Sequence, residues 1–160
     1  VQHAALNDWW SIDDVEQPAS SFIDYRFDDD TITYLNAALP DFVVQKSITL
    51  VPHGIRVSYK AQNRTARRRS LGWRLANEFN PGYAGVLAHG RSALDPIQEP
   101  AGIVGVVNRI DDSSVRVDCS RAWDSTAWSA GLLALQIEGS MRLDVPARGA
   151  LTWEVDIKAR

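Results

Sequence analysis

The sequence predicts an all-β protein, a two-sheet antiparallel β-sandwich, on three observations. Apolar and polar residues alternate in many short runs, turn-forming residues interrupt those runs at short intervals, and no window keeps apolar residues at i, i+3, i+4 and i+7 long enough to demand a substantial helix. Many strands with short connections are satisfied by two packed sheets rather than by a sheet covered with helices.

Taken in chain order, AALNDWW is the one piece with a helical look, and SFIDYRF and TITYL are short β-prone pieces separated by Asp28, Asp29 and Asp30. KSITLV, PHG and IRVSYK read as a hairpin, with strands near Lys46 to Val51 and Ile55 to Lys60 and a tight turn at Pro52, His53 and Gly54. LGWRLANEF then alternates, with Leu71, Trp73, Leu75, Asn77 and Phe79 on one side and Gly72, Arg74, Ala76, Glu78 and Asn80 on the other. The stretch from Ser92 to Gly102, with two prolines and two acids, reads as a surface loop. IVGVVNRI and SVRVDCS form a second hairpin around Asp111 and Asp112, and LLALQI and MRLDV a third around Glu138, Gly139 and Ser140. LTWEVDIK places Leu151, Trp153, Val155 and Ile157 on one face, as a half-buried closing strand should.

A chain of 160 residues is long enough to bury about two-thirds of its unfolded surface in one domain, here residues 1–160. The lone Cys119 excludes an internal disulfide and suits a reducing compartment, so a cytoplasmic location is expected. No apolar run approaches the roughly 18 residues of a membrane-spanning helix, and neither a membrane nor a nucleic acid is expected as a partner. The chain starts at Val1, and Met141 is its one methionine, which points to a piece of a larger protein. Up to Asp41 there are nine acids against one base, Arg26; from Phe42 to Arg91 there are nine bases against one acid, Glu78. The two segments should attract each other.

The motifs exclude more than they assign. There is no phosphate-binding glycine loop, no GxSxG elbow, and no histidine pair at metal-ligand spacing among His3, His53 and His89, so neither metal nor cofactor is expected. Alternation turns Cys119 to the side of Val115 and Val117, a setting for a packing thiol rather than a nucleophile. Arg64, Arg67, Arg68 and Arg69 lack interleaved aromatics for base stacking and read as a solvated loop or an ion-pair patch.

Glu78 faces away from the apolar side of its strand, beside Arg74. The plain reading is a surface ion pair worth under about 1 kcal/mol. The functional reading is a hollow sheet face on which Arg74, Glu78 and Asn80 hydrogen-bond sugar hydroxyls and Tyr83 stacks on a pyranose ring. Trp73 and Trp153 read as core, whereas Trp9, Trp10, Trp123 and Trp128 read as exposed, with Trp123 as a sugar contact.

SSFIDYRF, KSITLVPHGIRVSYK, GWRLANEFNPGYAG and RAWDSTAWSAGLLALQIEGSMRLDVPARGALTWEVDI resemble, in that order, the C-terminal β-sandwich of family 57 glycoside hydrolases, the α-amylase and 4-α-glucanotransferase group. The resemblance covers most of the chain, and its most specific part is Glu78, Phe79 and Asn80 before a glycine-containing loop; Tyr25 stands where the family pattern suggests a histidine. It implies a galactose-mutarotase-like supersandwich without a reaction of its own, packed against a catalytic barrel of the same chain and supporting a cleft for an α-glucan or oligosaccharide. Two rivals stand beside that expectation. One is a stand-alone sugar mutarotase or epimerase using Glu78 with His53 or His89; the other is a structural sandwich whose acidic and basic segments dock a partner domain.

Overall fold

The computed structural model describes residues 7–18, 24–36, 39–79, 94–97, 102–108, 112–130 and 135–159. Their regular structure is entirely β: β1 (Asn7–Ile12), β2 (Val15–Glu16), β3 (Asp24–Asp28), β4 (Thr31–Asn36), β5 (Phe42–Val51), β6 (Gly54–Asn63), β7 (Arg69–Phe79), β8 (Leu94–Pro96), β9 (Ile103–Asn108), β10 (Ser114–Cys119), β11 (Ser125–Ala130), β12 (Leu135–Val145) and β13 (Ala150–Ala159). They form two antiparallel sheets, a five-stranded one in the order β11-β12-β7-β1-β2 and an eight-stranded one in the order β3-β4-β5-β6-β13-β10-β9-β8. Among the described residues no helix is long and apolar enough to cross a membrane.

The alternation read from the sequence decides which face of each strand is buried. On β7, Leu71, Trp73 and Leu75 are buried and Arg74 is exposed; on β13, Trp153, Val155 and Ile157 are buried and Glu154 is exposed. These faces meet Val57, Tyr59 and Ala61 of β6 and Ile137, Met141 and Leu143 of β12 in one core. Each fully buried aliphatic chain of this kind contributes about 1.5–3 kcal/mol. The β5–β6 and β9–β10 hairpins form as the turn residues foretold, and His53 and Asp112 take positive φ of 66° and 57° in their turns. Short polar residues such as aspartate tolerate that conformation better than most.

Three expectations are corrected. Asn7–Trp10 is strand, paired with β7, and the two-residue period of that strand turns Trp10, read from the sequence as exposed, into the core at 3% accessibility. The hairpin expected at Glu138, Gly139 and Ser140 does not exist: β12 runs unbroken through all three and pairs with β7 from Leu135 to Val145. Gly139 is an inward position without a side chain because the Trp123 ring fills the space, and a Cβ there would stand 2.6 Å from Trp123 Cε3. Finally, the loop read at Ser92 to Gly102 contains the short strand β8, paired with β9.

The acidic and basic segments do attract, within the chain. Arg69 reaches Asp13 and Asp41, each at 2.6 Å, and Lys46 Nζ lies 2.6 Å from Asp8 Oδ2 with both side chains almost fully buried. The second oxygen of Asp8 accepts from the Tyr59 hydroxyl at 2.8 Å and from the Trp73 indole N–H at 2.9 Å. Around this carboxylate the rings of Trp10, Tyr59, Trp73 and Trp153 pack against one another, Tyr59 stacked on Trp153 with centroids 5.1 Å apart.

Toward its β3 end the larger sheet exposes large apolar side chains on its core-facing side. The register sets Tyr25 opposite Tyr34, Lys46 and Tyr59 in turn, and Phe27 opposite Ile32, Ile48 and Val57, so Tyr25 and Phe27 share the core-facing side of the sheet. Val57 is fully buried, yet Phe27 is 69% exposed and Tyr25 62%, and Leu50 on the same face is 68% exposed.

Candidate functional site

The outward face of the five-stranded sheet carries the residues that the sequence singled out on β7. Because opposite residues in an antiparallel pair share a face, the register builds three rows across it, two of them polar or aromatic throughout and the middle one carrying Ala76 and Ala127. Trp9, Arg74, Ser140 and Ser125 form one; Asn7, Ala76, Glu138 and Ala127 the next; Glu78, Gln136 and Ser129 the third. Within them Ser125 and Ser140 hydroxyls lie 2.7 Å apart, and Gln136 Nε2 donates to Glu138 Oε1 at 2.6 Å.

The Arg74 guanidinium lies over the Trp9 ring, 4.4 Å from the centroid. A planar cation on an indole face gains electrostatic attraction while its edge N–H groups stay free to donate sideways. Beside this stack is a depression of about 350 Å³, walled by Trp9, Glu16, Arg74, Asp124, Ser140 and Arg142. Gly72, between Ser11 and Arg142 in the register, floors it, since a side chain there would strike the Ser11 hydroxyl. Arg142 is held from two sides, its backbone N–H donating to Asp124 Oδ2 at 2.6 Å and its guanidinium to Asp14. Cations, carboxylates and hydroxyls of mixed sign around a shallow floor suit a neutral ligand with many hydroxyls better than an anion.

The expected site residues divide as follows. Arg74 lines the depression. Glu78 is on the same face, half-buried, four residues along β7 and so about 13 Å away at the strand rise, and does not wall the depression. Trp123 lies on the other side of the sheet. Its ring stacks on Trp73 with centroids 5.5 Å apart, and its N–H donates to the Gly102 carbonyl at 3.0 Å. It therefore shares no surface with Arg74 and Glu78. Asn80, Tyr83, His3 and His89 lie outside the described residues. His53 is exposed at the β5–β6 turn of the other sheet, so it and Glu78 are not brought together.

The depression's other walls were within reach of the sequence. Gln136, Glu138, Ser140 and Arg142 alternate with Ile137, Gly139, Met141 and Leu143, and reading the run as one strand would have put Ser140 and Arg142 beside Arg74. Elsewhere, Cys119 is half-buried and its thiol is pushed up by desolvation, which disfavours the thiolate. No group of three or more His, Cys, Asp or Glu able to hold a metal ion occurs among the described residues.

No family model and no curated protein matches this sequence. Solved structures do. A galactose mutarotase-like protein from Lactobacillus casei ATCC 334 matches with a TM-score of 0.63 at 10% identity, over 86% of this chain and 72% of that one. The Slr1438 protein of Synechocystis sp. PCC 6803 matches at 0.58 and 12% identity, over 88% of this chain and 65% of that one. The 4-α-glucanotransferase of Thermococcus litoralis matches at 0.56 and 12% identity, over 97% of this chain, which spans 27% of the transferase. At such identities the likeness is one of fold, and that fold is the two-sheet antiparallel sandwich of galactose-mutarotase-like proteins and of domains in carbohydrate-active enzymes.

Proposed function

We propose that this chain, as one domain over residues 1–160, is a non-catalytic accessory sandwich of a carbohydrate-active enzyme of the family 57 glycoside hydrolase kind, contacting an α-glucan beside a catalytic barrel. The observation that carries the reading is the outward face of the five-stranded sheet, where Arg74 on Trp9, Ser140 and Arg142 surround a shallow floor at Gly72. Support for an accessory role comes from the match of almost the whole chain to about a quarter of the glucanotransferase. Glu78 extends the surface along β7, Asn80 and Tyr83 are the further sugar contacts of this reading, and Trp123 serves it indirectly, as the packing partner of Trp73 beneath. The lone Cys119 supports a cytoplasmic setting.

Calorimetric titration with maltooligosaccharides tests this. The expected result is millimolar binding, weakened about tenfold or more by Arg74→Ala, since an arginine on an aromatic face loses both its donors and its stacking area. Absence of heat at millimolar ligand would remove direct binding.

The coverage of 72% of the galactose mutarotase-like protein favours a second reading, a stand-alone mutarotase with Glu78 as base. His53 stands on the other sheet, which leaves His89 as the acid of that reading. Polarimetry on fresh glucose separates the two: an accelerated change in rotation, lost in Glu78→Gln, supports the mutarotase, and an unchanged rate excludes it.

A further inference from the structure

Two connections cross between the sheets at the same end of the sandwich, residues 64–68 from β6 to β7 and residues 146–149 from β12 to β13. The buried Asn63 ties them together. Its amide N–H groups donate to the carbonyls of Arg67, Val145 and Pro146 at 2.7, 3.2 and 3.0 Å, and its Oδ1 accepts from the Thr65 N–H and hydroxyl. The Arg148 N–H donates to the Thr65 carbonyl at 3.0 Å. On this braced backbone stand Arg64, Arg67, Arg68 and Arg148, all exposed, and none of the four makes an ion pair or side-chain hydrogen bond among the described residues. Arg69 differs, being bound by Asp13 and Asp41. Arg148 also has a φ of 56° at the third position of a turn in which the Gly149 N–H donates to the Pro146 carbonyl, a place that favours glycine or asparagine. A long side chain kept there strains the fold, as happens where a residue serves a contact.

We propose that these two turns are a docking cap for another protein domain, one that presents a compact cluster of carboxylates. Guanidinium forks take carboxylates in bidentate pairs, and a backbone already fixed by Asn63 loses little freedom on docking. The size and border of the patch select a protein over a polymer. Arg64 to Arg68 spans at most about 14 Å along the chain. Carboxylates border it: Asp13 and Asp41 outnumber the Arg69 they share, and Asp144 is exposed two residues before Pro146. A nucleic acid or an acidic polysaccharide, charged along its whole length, would run onto these acids. Nor do the turns carry rings to stack bases or large apolar side chains to enter a membrane, since their other residues are Thr65, Ala66, Pro146, Ala147 and Gly149. The inference is independent of the glucan reading, because none of the four arginines walls the depression.

The probe is labelled, amidated tetraglutamate, with one carboxylate for each arginine. Fluorescence anisotropy at low salt is expected to show millimolar binding that weakens about threefold for each of Arg64→Ala, Arg67→Ala and Arg68→Ala and about tenfold for R67A/R68A, while Arg26→Ala on β3 leaves it unchanged. Arg148→Gly should weaken the probe as much as the other single variants and yet raise the melting temperature, because glycine takes a φ of 56° without strain. An arginine with only a structural role would change the melting temperature alone. A sixteen-residue polyglutamate should gain only about tenfold, the factor that its additional registers supply. No binding at millimolar tetraglutamate, an affinity unmoved by the arginine variants, or stabilisation by Arg148→Gly without weaker binding would each overturn the proposal. So would a gain of about a hundredfold or more on the longer chain or on duplex DNA, which would assign the cap to an extended polyanion.

Discussion

Asp8, on β1, ties β5, β6 and β7 together through one carboxylate. Both its oxygens are used, one by the Lys46 ammonium and the other by the Tyr59 hydroxyl and the Trp73 N–H, inside a cage of aromatic rings. A buried ion pair adds little over an apolar pair of equal size, but removing one member leaves the other's charge and its hydrogen-bonding neighbours buried without a partner carboxylate. Asp8→Ala is therefore expected to cost about 3–5 kcal/mol and lower the melting temperature by about 10 °C or more. Asp8→Asn keeps a carbonyl for Tyr59 and Trp73 and should fall between Asp8→Ala and the wild type in thermal melts. None of this was legible in NDWW. The three donors come from positions 38, 51 and 65 residues further along the chain, and nothing local marks an aspartate that faces inward.

Strand β12 shows a different limit. Its alternation, from Leu135 to Val145, never breaks parity, and that regularity was the signal of one long strand. Glu-Gly-Ser in the middle reads as a turn because glycine usually marks one, whereas here it marks the spot where another side chain lies on the backbone. Gly139→Ala tests the point. The Trp123 ring is held by its stack on Trp73 and its bond to Gly102, so it cannot swing away freely, and a loss of about 1–3 kcal/mol is expected. A red shift in tryptophan emission should accompany it as Trp123 moves toward water. By contrast the middle of the β5–β6 hairpin and β13 were legible, because Ile55, Val57 and Tyr59, and Leu151, Trp153, Val155 and Ile157, alternate with polar residues and Pro52 and His53 close the hairpin. β5 begins at Phe42 rather than Lys46 and β6 ends at Asn63 rather than Lys60, where the contiguous Phe42, Val43 and Val44 hide the alternation. The candidate site was half legible: the outward side of β7 followed from parity, while its neighbours on β1 and β12 depended on knowing the order of strands, which alternation does not encode.

The balance of stability with pH follows from two acids, the buried Tyr59 and the half-buried Cys119, that stay protonated when folded. Burial, with the Asp8 carboxylate beside it, pushes the Tyr59 hydroxyl well up, and desolvation pushes the Cys119 thiol up. Each folded group thus holds its proton at pH values where the unfolded chain has lost it. Their contribution is whole below the unfolded values, about 8.5 for cysteine and about 10 for tyrosine, and is lost as pH rises toward the folded ones. Chemical-denaturation curves should show stability beginning to fall above about pH 8.5 and falling more steeply past about pH 10. Cys119→Ser should flatten the first part and Tyr59→Phe the second, with Tyr59→Phe also less stable at neutral pH through the lost bond to Asp8.

The pairing of β13 with β6 joins residues 150–159 to residues 54–63, and β13 also holds β10 on its far side. The central seam of the larger sheet is thus supplied by a segment synthesised roughly a hundred residues after its neighbour. Until it emerges from the ribosome, β5–β6 and β9–β10 are separate hairpins with raw margins facing each other across a gap. Folding must wait for that stretch, at the slow pace of distant strand closure, and trimming it would split the sheet down its middle rather than shorten an end.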